Sequence, residues 1–416
     1  MVEQLKVSRR TLLLGMVAAT FGSTLSSCRP DVDSTLEISL LAGAIPAEVL
    51  KKFRQQTTDP VKFQVLDQLS GLFQLLQRWQ SEQKPRFSLR QLVPWAIDPN
   101  QLRPDNLVSL DDYWLASAIE RGIIEPFQLE PNVLEKLPAD WLQSWQQFIE
   151  QSVENRGKQT KIKSLEANTS TLWAAPYKVQ PLVVVYRQSE VLTTDATSPF
   201  SSWQNLLARN LQNRIALPEH PRLVLGLLQK IRSGSFNPII EGSATEGTNV
   251  ALKAEDIEEQ LEEQLGDLLV QLDRQVKTYD AENSLKALIN GDVDVAVSWL
   301  ADVVSAQKRY RDLKIAIPSE GSLLSTDVWV RPKGADLSDS AISWINYCWE
   351  AGPAAQISRS GKGLSPVFLG RETALPKALA DVPLSIETLQ NSEPLLPLSV
   401  EAQKAYFSFW QRFRSR

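Results

Sequence analysis

The stretch from residue 36 to residue 83 switches twice between two hydrophobic periods, and this narrows the possible folds more than any other feature of the chain. Leu36–Leu41 is a short apolar run and Val61–Leu66 alternates, so both predict strands. Ala47–Gln56 carries Val49, Leu50 and Phe53 at helical spacing, and Leu69–Gln83 places Leu72, Phe73, Leu76 and Trp79 on one helical face. A β-α-β-α order implies a parallel sheet covered by helices. The pattern resumes with a strand at 107–110 and a helix at 111–121, whose Asp111 and Asp112 suit a helix N-terminus.

Further along, strands are expected at 182–186, 214–217, 293–299, 314–317 and 327–331. Helices are expected from Trp203, at 222–232, 254–277, 281–290, 338–350 and 401–413. Residues 84–104 and 155–170 are polar and read as exposed loops. The order suggests an α/β chain of two lobes: 36–180 with 318–384, and 181–317, followed by a C-terminal helical segment at 385–416. The chain leaves the first lobe near Tyr177 and returns near Pro318, so two crossover strands form a hinge with a ligand cleft between the lobes.

Composition removes several functions. The 416 residues include one His and two Cys. Two Cys exclude a disulfide-dense scaffold and a Cys-rich metal site, and the single His220 leaves no pair for a His-rich one. No metal or other cofactor is expected. A net charge of −5 argues against nucleic acid as a partner. Gly-x-Ser-x-Gly, His-Glu-x-x-His and Gly-x-Gly-x-x-Gly are all missing, so no catalytic residue is assigned.

Residues 1–28 read as an export signal. Lys6, Arg9 and Arg10 precede an apolar run from Leu12 to Phe21, well short of the roughly 20 residues of a permanent span. Ser8-Arg9-Arg10-Thr11-Leu12-Leu13 resembles a twin-arginine signal with Leu in place of the usual Phe, and Leu25-Ser26-Ser27-Cys28 resembles a bacterial lipobox. The resemblance implies acylation of Cys28, a polar tether at 29–35, and a periplasmic protein held to the membrane by its lipid. Removing 1–27 leaves 41 basic and 48 acidic residues, a net of −7. Cys348, in an apolar helical stretch, then reads as a buried core thiol.

Several segments together carry a family likeness. Trp173-Ala174-Ala175-Pro176-Tyr177 precedes Val183-Val184-Val185-Tyr186-Arg187. Ser202-Trp203-Gln204-Asn205-Leu206-Leu207 precedes Arg214-Ile215-Ala216-Leu217. Leu288 to Trp299, Pro318-Ser319-Glu320-Gly321 and Asp327-Val328-Trp329 complete the series. In order and spacing these resemble the solute-binding lipoproteins of ABC importers with the type II periplasmic binding protein fold, and within them the spermidine/putrescine binders. The resemblance implies a small-molecule solute and an inner-membrane ABC permease as partners, and a monomer.

It also implies a ligand site, and there the chain departs from the pattern. Where polyamine binders have an aromatic, a Thr and a Glu after the first strand, this chain has Leu41, Ala42 and Gly43. An Asp and a Glu after Leu217 are replaced by His220 and Leu223, with Glu219 as a candidate substitute. The Trp-x-Asp before the return strand becomes Ser325-Thr326-Asp327, and a late pocket Tyr becomes Leu364. Trp299 matches the second pocket Trp and reads equally as pocket wall or core. Tyr177 reads as hinge packing or ligand stacking, His220 as a helix cap or a ligand group, and Asp327 as a ligand carboxylate or a turn residue. The candidate ligand residues are therefore Ala42, Gly43, Tyr177, Glu219, His220, Trp299, Thr326 and Asp327. With most of the cation cage missing, a di- or tri-cation is an uncertain cargo, because a buried charge needs a partner. An exported hydrolase, or a sensor or scaffold that kept the fold, are the alternative readings.

Overall fold

The computed structural model describes residues 35–83, 104–154, 171–187, 199–237, 253–280, 284–360, 363–369 and 386–415. Contacts divide the chain into Met1–Thr35 and Leu36–Arg416, and only the second unit is described below. The expected export signal, Cys28 and most of the tether lie outside the described residues, as do most of the expected loop at 84–104 and all of the one at 155–170.

The chain begins with β1 (Leu36–Leu41), α1 (Ala47–Gln56), β2 (Val61–Leu66) and α2 (Leu69–Gln83), with the same bounds as the hydrophobic periodicity predicts. β3 (Leu107–Asp111) and α3 (Asp112–Glu120) follow. Then come β4 (Ile124–Glu125), β5 (Phe127–Gln128), α4 (Pro131–Leu134), α5 (Ala139–Glu154) and β6 (Thr171–Leu172). The long strand β7 (Ala175–Arg187) leads to β8 (Ile215–Leu217), α6 (Pro221–Ser233), α7 (Ala254–Gln275) and β9 (Val276–Tyr279). After these lie α8 (Ser284–Asn290), β10 (Val295–Trp299), α9 (Leu300–Gln307), β11 (Leu313–Ala316) and β12 (Leu323–Pro332). The chain finishes with α10 (Asp339–Cys348), α11 (Ala351–Ser360), α12 (Ile386–Gln390), β13 (Glu393–Pro394) and α13 (Val400–Arg414).

Most strands form one sheet in the order β2-β1-β3-β12-β7-β10-β8-β9, with β4 and β13 pairing β12 and β11 pairing β7, while β5 and β6 form a separate two-stranded sheet. β1 is parallel to β2 and β3, and β8 is parallel to β9 and β10. β7 joins the two parallel sets. Its first residues pair antiparallel with β12, and residues 182–186 pair antiparallel with β10. Alternation along the strands feeds opposite faces: Leu182 and Val184 enter one core with α6, α7 and α13, while Val183 and Val185 enter another with α8 and α9. Around β1 and β3, Leu36, Ile38 and Leu40 pack on Trp344 and Trp349, and Val108 and Leu110 pack on Leu72 and Trp145.

Some expected elements differ. The strand at 182–186 is only the distal half of β7, because Pro176, Lys178 and Pro181 interrupt the apolar pattern of its first half. The helix expected from Trp203 is a pair of 3-10 turns, Trp203–Leu207 and Arg209–Leu211. Its start is held tightly: Glu320 accepts from Trp203 N–H at 2.7 Å, and the buried indole donates to the Gly321 carbonyl at 2.9 Å. The helix expected over 254–277 ends at Gln275, and the next four residues pair with β8 as β9. Cys348 is buried among apolar side chains, which pushes its thiol well above the usual range. Arg412 of α13 reaches Glu258 at 2.5 Å and Glu262 at 3.0 Å, so the acidic face of α7 has a basic partner within the chain. Among the described residues, no helix is long and apolar enough to cross a membrane.

Candidate functional site

β1 and β3 of one parallel set and β8 and β10 of the other end at one cavity of about 450 Å³. The turn after β1 supplies Ala42, Gly43 and Ala44, and the β3–α3 junction supplies Asp111, Asp112 and Tyr113. Pro218 and His220 follow β8, while Trp299 ends β10 and Ala301 and Asp302 follow it. The C-terminal edge of parallel strands, where the chain turns into helices, is the usual ligand position in open α/β sheets. β7 and β12 close the cavity with Lys178, Gln180, Leu323, Leu324, Ser325 and Asp327.

Local chemistry sets each of these turns. Gly43 has φ +73°, a left-handed conformation that glycine adopts without strain, and Ala44 N–H bonds back to the Leu41 carbonyl at 3.1 Å. Asp111 caps α3 by accepting from Trp114 N–H at 3.2 Å. His220 caps α6, its Nδ1 accepting from Leu223 N–H at 3.3 Å with Pro221 next in the first turn. Burial and nearby Arg222 lower the pKa of His220, so the ring is neutral and serves as an acceptor.

Charge concentrates on three adjacent strands. Asp327 of β12 lies opposite Asp111 of β3 on one side and opposite Lys178 of β7 on the other. The β7–β12 register slips at this point: Asp327 faces Lys178 while Val328 faces Pro176, leaving Tyr177 as an extra residue. Consecutive residues of a regular strand point to opposite faces. At the slip, however, Tyr177 Oη and Lys178 Nζ approach the same oxygen, Asp327 Oδ2, at 3.5 and 2.5 Å. Lys178 and Asp327 are buried together, with side chains 6% and 5% exposed. Asp112 accepts from Thr326 N–H at 3.0 Å. Burial, with Asp327 close by, pushes Asp111 up to about 7, and burial beside Asp111 raises Asp112 well above the carboxylate range.

Five of the eight candidate residues line the cavity: Ala42, Gly43, His220, Trp299 and Asp327. Three do not. Tyr177 is fully buried, stacked on Trp329 at 4.4 Å and bonded to Ser109 at 2.7 Å, so it packs the hinge strand. Glu219 is exposed and is not among the residues lining the cavity. Thr326 is buried and reaches Asp112 through its backbone, because its side chain lies on the strand face opposite Asp327. Trp299 serves both of its readings, facing the cavity and packing against the core beside α6. Leu364 is buried and bonds Val179 in both directions, at 2.6 and 2.7 Å, so it clips a turn onto β7.

Sequence reasoning missed Lys178 and took Asp111 and Asp112 for helix-start residues alone. A signal was present: Lys178 is a cation in the interior of the mostly apolar strand Ala175–Arg187, whose other cation, Arg187, stands at its end, and such an interior residue needs a buried counter-ion. Among the described residues, no group of three or more His, Cys, Asp or Glu is placed to hold a metal ion.

This architecture has many relatives. The chain is 28% identical over 142 residues to the putrescine-binding periplasmic protein PotF of Escherichia coli, covering 31% of this chain and 38% of that one. It is 26% identical over 197 residues to the spermidine/putrescine-binding periplasmic protein 1 of Haemophilus influenzae, covering 46% and 49%. The chain thus spans half or less of the length of these curated relatives. Among solved structures, the spermidine/putrescine ABC transporter substrate-binding protein PotD of Streptococcus pneumoniae superposes with a TM-score of 0.65 at 19% identity, over 92% of this chain and 99% of that one. That likeness establishes the two-lobed type II periplasmic binding protein fold. The profile of the bacterial extracellular solute-binding proteins matches residues 103–388, most of the chain, and the protein belongs to that family.

Proposed function

We propose that this protein is the solute-capturing component of an ABC importer and that its solute is a small organic cation. The observation that carries this reading is the cavity at the strand ends, where Asp111, Asp112 and Asp327 gather beside Trp299. A buried cation needs carboxylates or an aromatic face, and this cavity offers both. The polyamine-binding relatives support the same class of solute.

In this reading, 36–180 with 318–384 and 181–317 act as two lobes, and β7 is one of the strands on which they close. Closure couples occupancy to shape, so an inner-membrane permease distinguishes loaded from empty protein. Acylated Cys28 holds the protein, as a monomer, on the periplasmic side of the membrane, with 29–35 as tether. The cavity has a built electrostatic site and the chain lacks a catalytic motif, so binding is favoured over hydrolysis.

Isothermal titration of the purified protein against butylamine, putrescine, spermidine and choline tests the reading. Saturable binding of at least one amine is expected, quenched or shifted in the fluorescence of Trp299 relative to a Trp299→Phe variant. Failure of every amine to bind overturns it.

A further inference from the structure

The family likeness directs a ligand ammonium to Asp327, yet the chain already places an ammonium of its own there. Lys178 Nζ lies 2.5 Å from Asp327 Oδ2, and both side chains are buried. Lys178 is also held in place. A Cβ at Gly363 would lie 2.7 Å from Lys178 Cγ and 2.9 Å from the Val179 carbonyl, so the backbone of Gly363 rests directly on the lysine stem. The reciprocal Val179–Leu364 bonds fix that turn against β7. The turn therefore packs against the lysine stem and restricts its movement on that side.

Among the described residues that line the cavity, Lys178 is the one Lys or Arg. With Asp327 matched, the carboxylates left in the wall are Asp111, partly exposed at the end of β3, and buried Asp112, adjacent in the chain. Neighbouring carboxylates resist joint ionisation, and one arriving ammonium relieves that repulsion. Asp302 is exposed, where water screens its charge. The remaining wall around the site includes Leu41, Leu69, Leu223, Trp299, Leu323 and Leu395, which suit a hydrocarbon body.

We infer that Lys178 is a tethered counter-ion occupying the cation position at Asp327, so that the cleft selects an organic solute with one ammonium group over a diamine or triamine. The inference rests on the cleft being a site of cation capture. A second ammonium on the solute would find its carboxylate taken and would be repelled by Lys178 Nζ. Lys178 is in this sense a specificity-determining residue, and the chain has replaced part of a cationic ligand with its own side chain.

Butylamine and putrescine share a four-carbon stem and differ by one ammonium, so the ratio of their affinities reads the effect directly. Wild-type protein is expected to bind putrescine no more than about threefold tighter than butylamine, and Lys178→Met to shift the ratio toward putrescine by roughly tenfold or more. Lys178→Met/Asp327→Leu, which removes both charges, is expected to keep the wild-type ratio. That double variant also serves if the single variant fails to fold, because a gain of putrescine preference in it overturns the inference. So does a wild-type preference for putrescine of about tenfold or more, or a folded Lys178→Met whose ratio is unchanged. Absence of any amine binding by wild type overturns instead the reading of the cleft itself.

Discussion

Lys178 Nζ and Asp327 Oδ2 are 2.5 Å apart in the wall of the cavity, on strands that run antiparallel, with Tyr177 Oη approaching the same oxygen. A buried pair of this kind gains little net stability over apolar residues of similar size, since desolvation offsets most of the attraction. Its effect is on the cavity: it matches the Asp327 carboxylate and leaves Asp111 and Asp112 without an ion-pair partner of their own in the lining. Lys178 and Asp327 are directly opposed in the β7–β12 register, and the slip just beyond them brings Tyr177 to the same oxygen.

Asp111 makes the molecule sensitive to pH. Its pKa rises from 3.8 to about 7, so between those values the native state holds a proton that the unfolded chain has lost. Stability from this group therefore falls as pH rises from about 4 to about 7, and is level on either side. Asp105, pushed up to about 6 by burial, adds a similar slope. Asp111→Asn keeps the cap to Trp114 and removes only the first contribution. Urea unfolding at pH 4.5 and 7.5 should show the variant gaining stability relative to wild type at the higher pH. An unchanged difference at the two values contradicts the assignment. A bound ammonium favours ionised Asp111, so amine affinity should also rise from pH 6 to 8 in wild type and lose that rise in the variant.

Gly363 is expected to tolerate no side chain. The added methyl of Gly363→Ala meets the Lys178 stem and the Val179 carbonyl, contacts closer than carbon atoms allow. Overpacking of this sort costs about 1–3 kcal/mol. Chemical denaturation measures the loss, and a variant as stable as wild type would show that the turn yields freely.

His220 should behave as a cap. His220→Ala leaves Leu223 N–H without its side-chain acceptor and is expected to cost about 1 kcal/mol, while His220→Asn, a good cap residue, recovers most of it. Thermal melts of the three proteins at pH 7.5 decide the point. Equal losses in both variants would mean that ring packing against Tyr113, at 5.7 Å, matters more than the cap.

Cys28 is expected to carry the membrane anchor. In cells expressing the full chain, wild type should fractionate with membranes and Cys28→Ser with the soluble exported fraction. Identical fractionation of the two proteins would remove lipid anchoring from the proposal.

The legible parts of the fold are those in which periodicity and burial agree. β1, α1, β2 and α2 fill one compact α/β unit whose helices each hide one face, and their bounds follow from the sequence residue by residue. Agreement fails where long-range pairing decides. The first half of β7 contains Pro176, Lys178, Gln180 and Pro181, a poor strand pattern, yet β12 on one side draws it into the sheet. Val276 and Lys277 of β9 extend a helical pattern in sequence and join a strand because β8 offers an edge. At the site, Ala42, Gly43, His220 and Trp299 follow strand ends and so were reachable by motif spacing. Glu219 lies between two lining residues in sequence, Pro218 and His220, and only the fold leaves it outside the lining.

The sequence by itself determined the α/β alternation, the family and the set of turns that border the cleft, because each follows from local periodicity and from motif order. The tertiary structure decided the charge of the cleft. Whether Asp327 is free or matched depends on which residue of β7 stands opposite it, and that is set by the register of β7 on β12, which slips by one residue at Tyr177. Hydrophobic pattern does not encode such a slip, since it arises from packing between strands far apart in the chain.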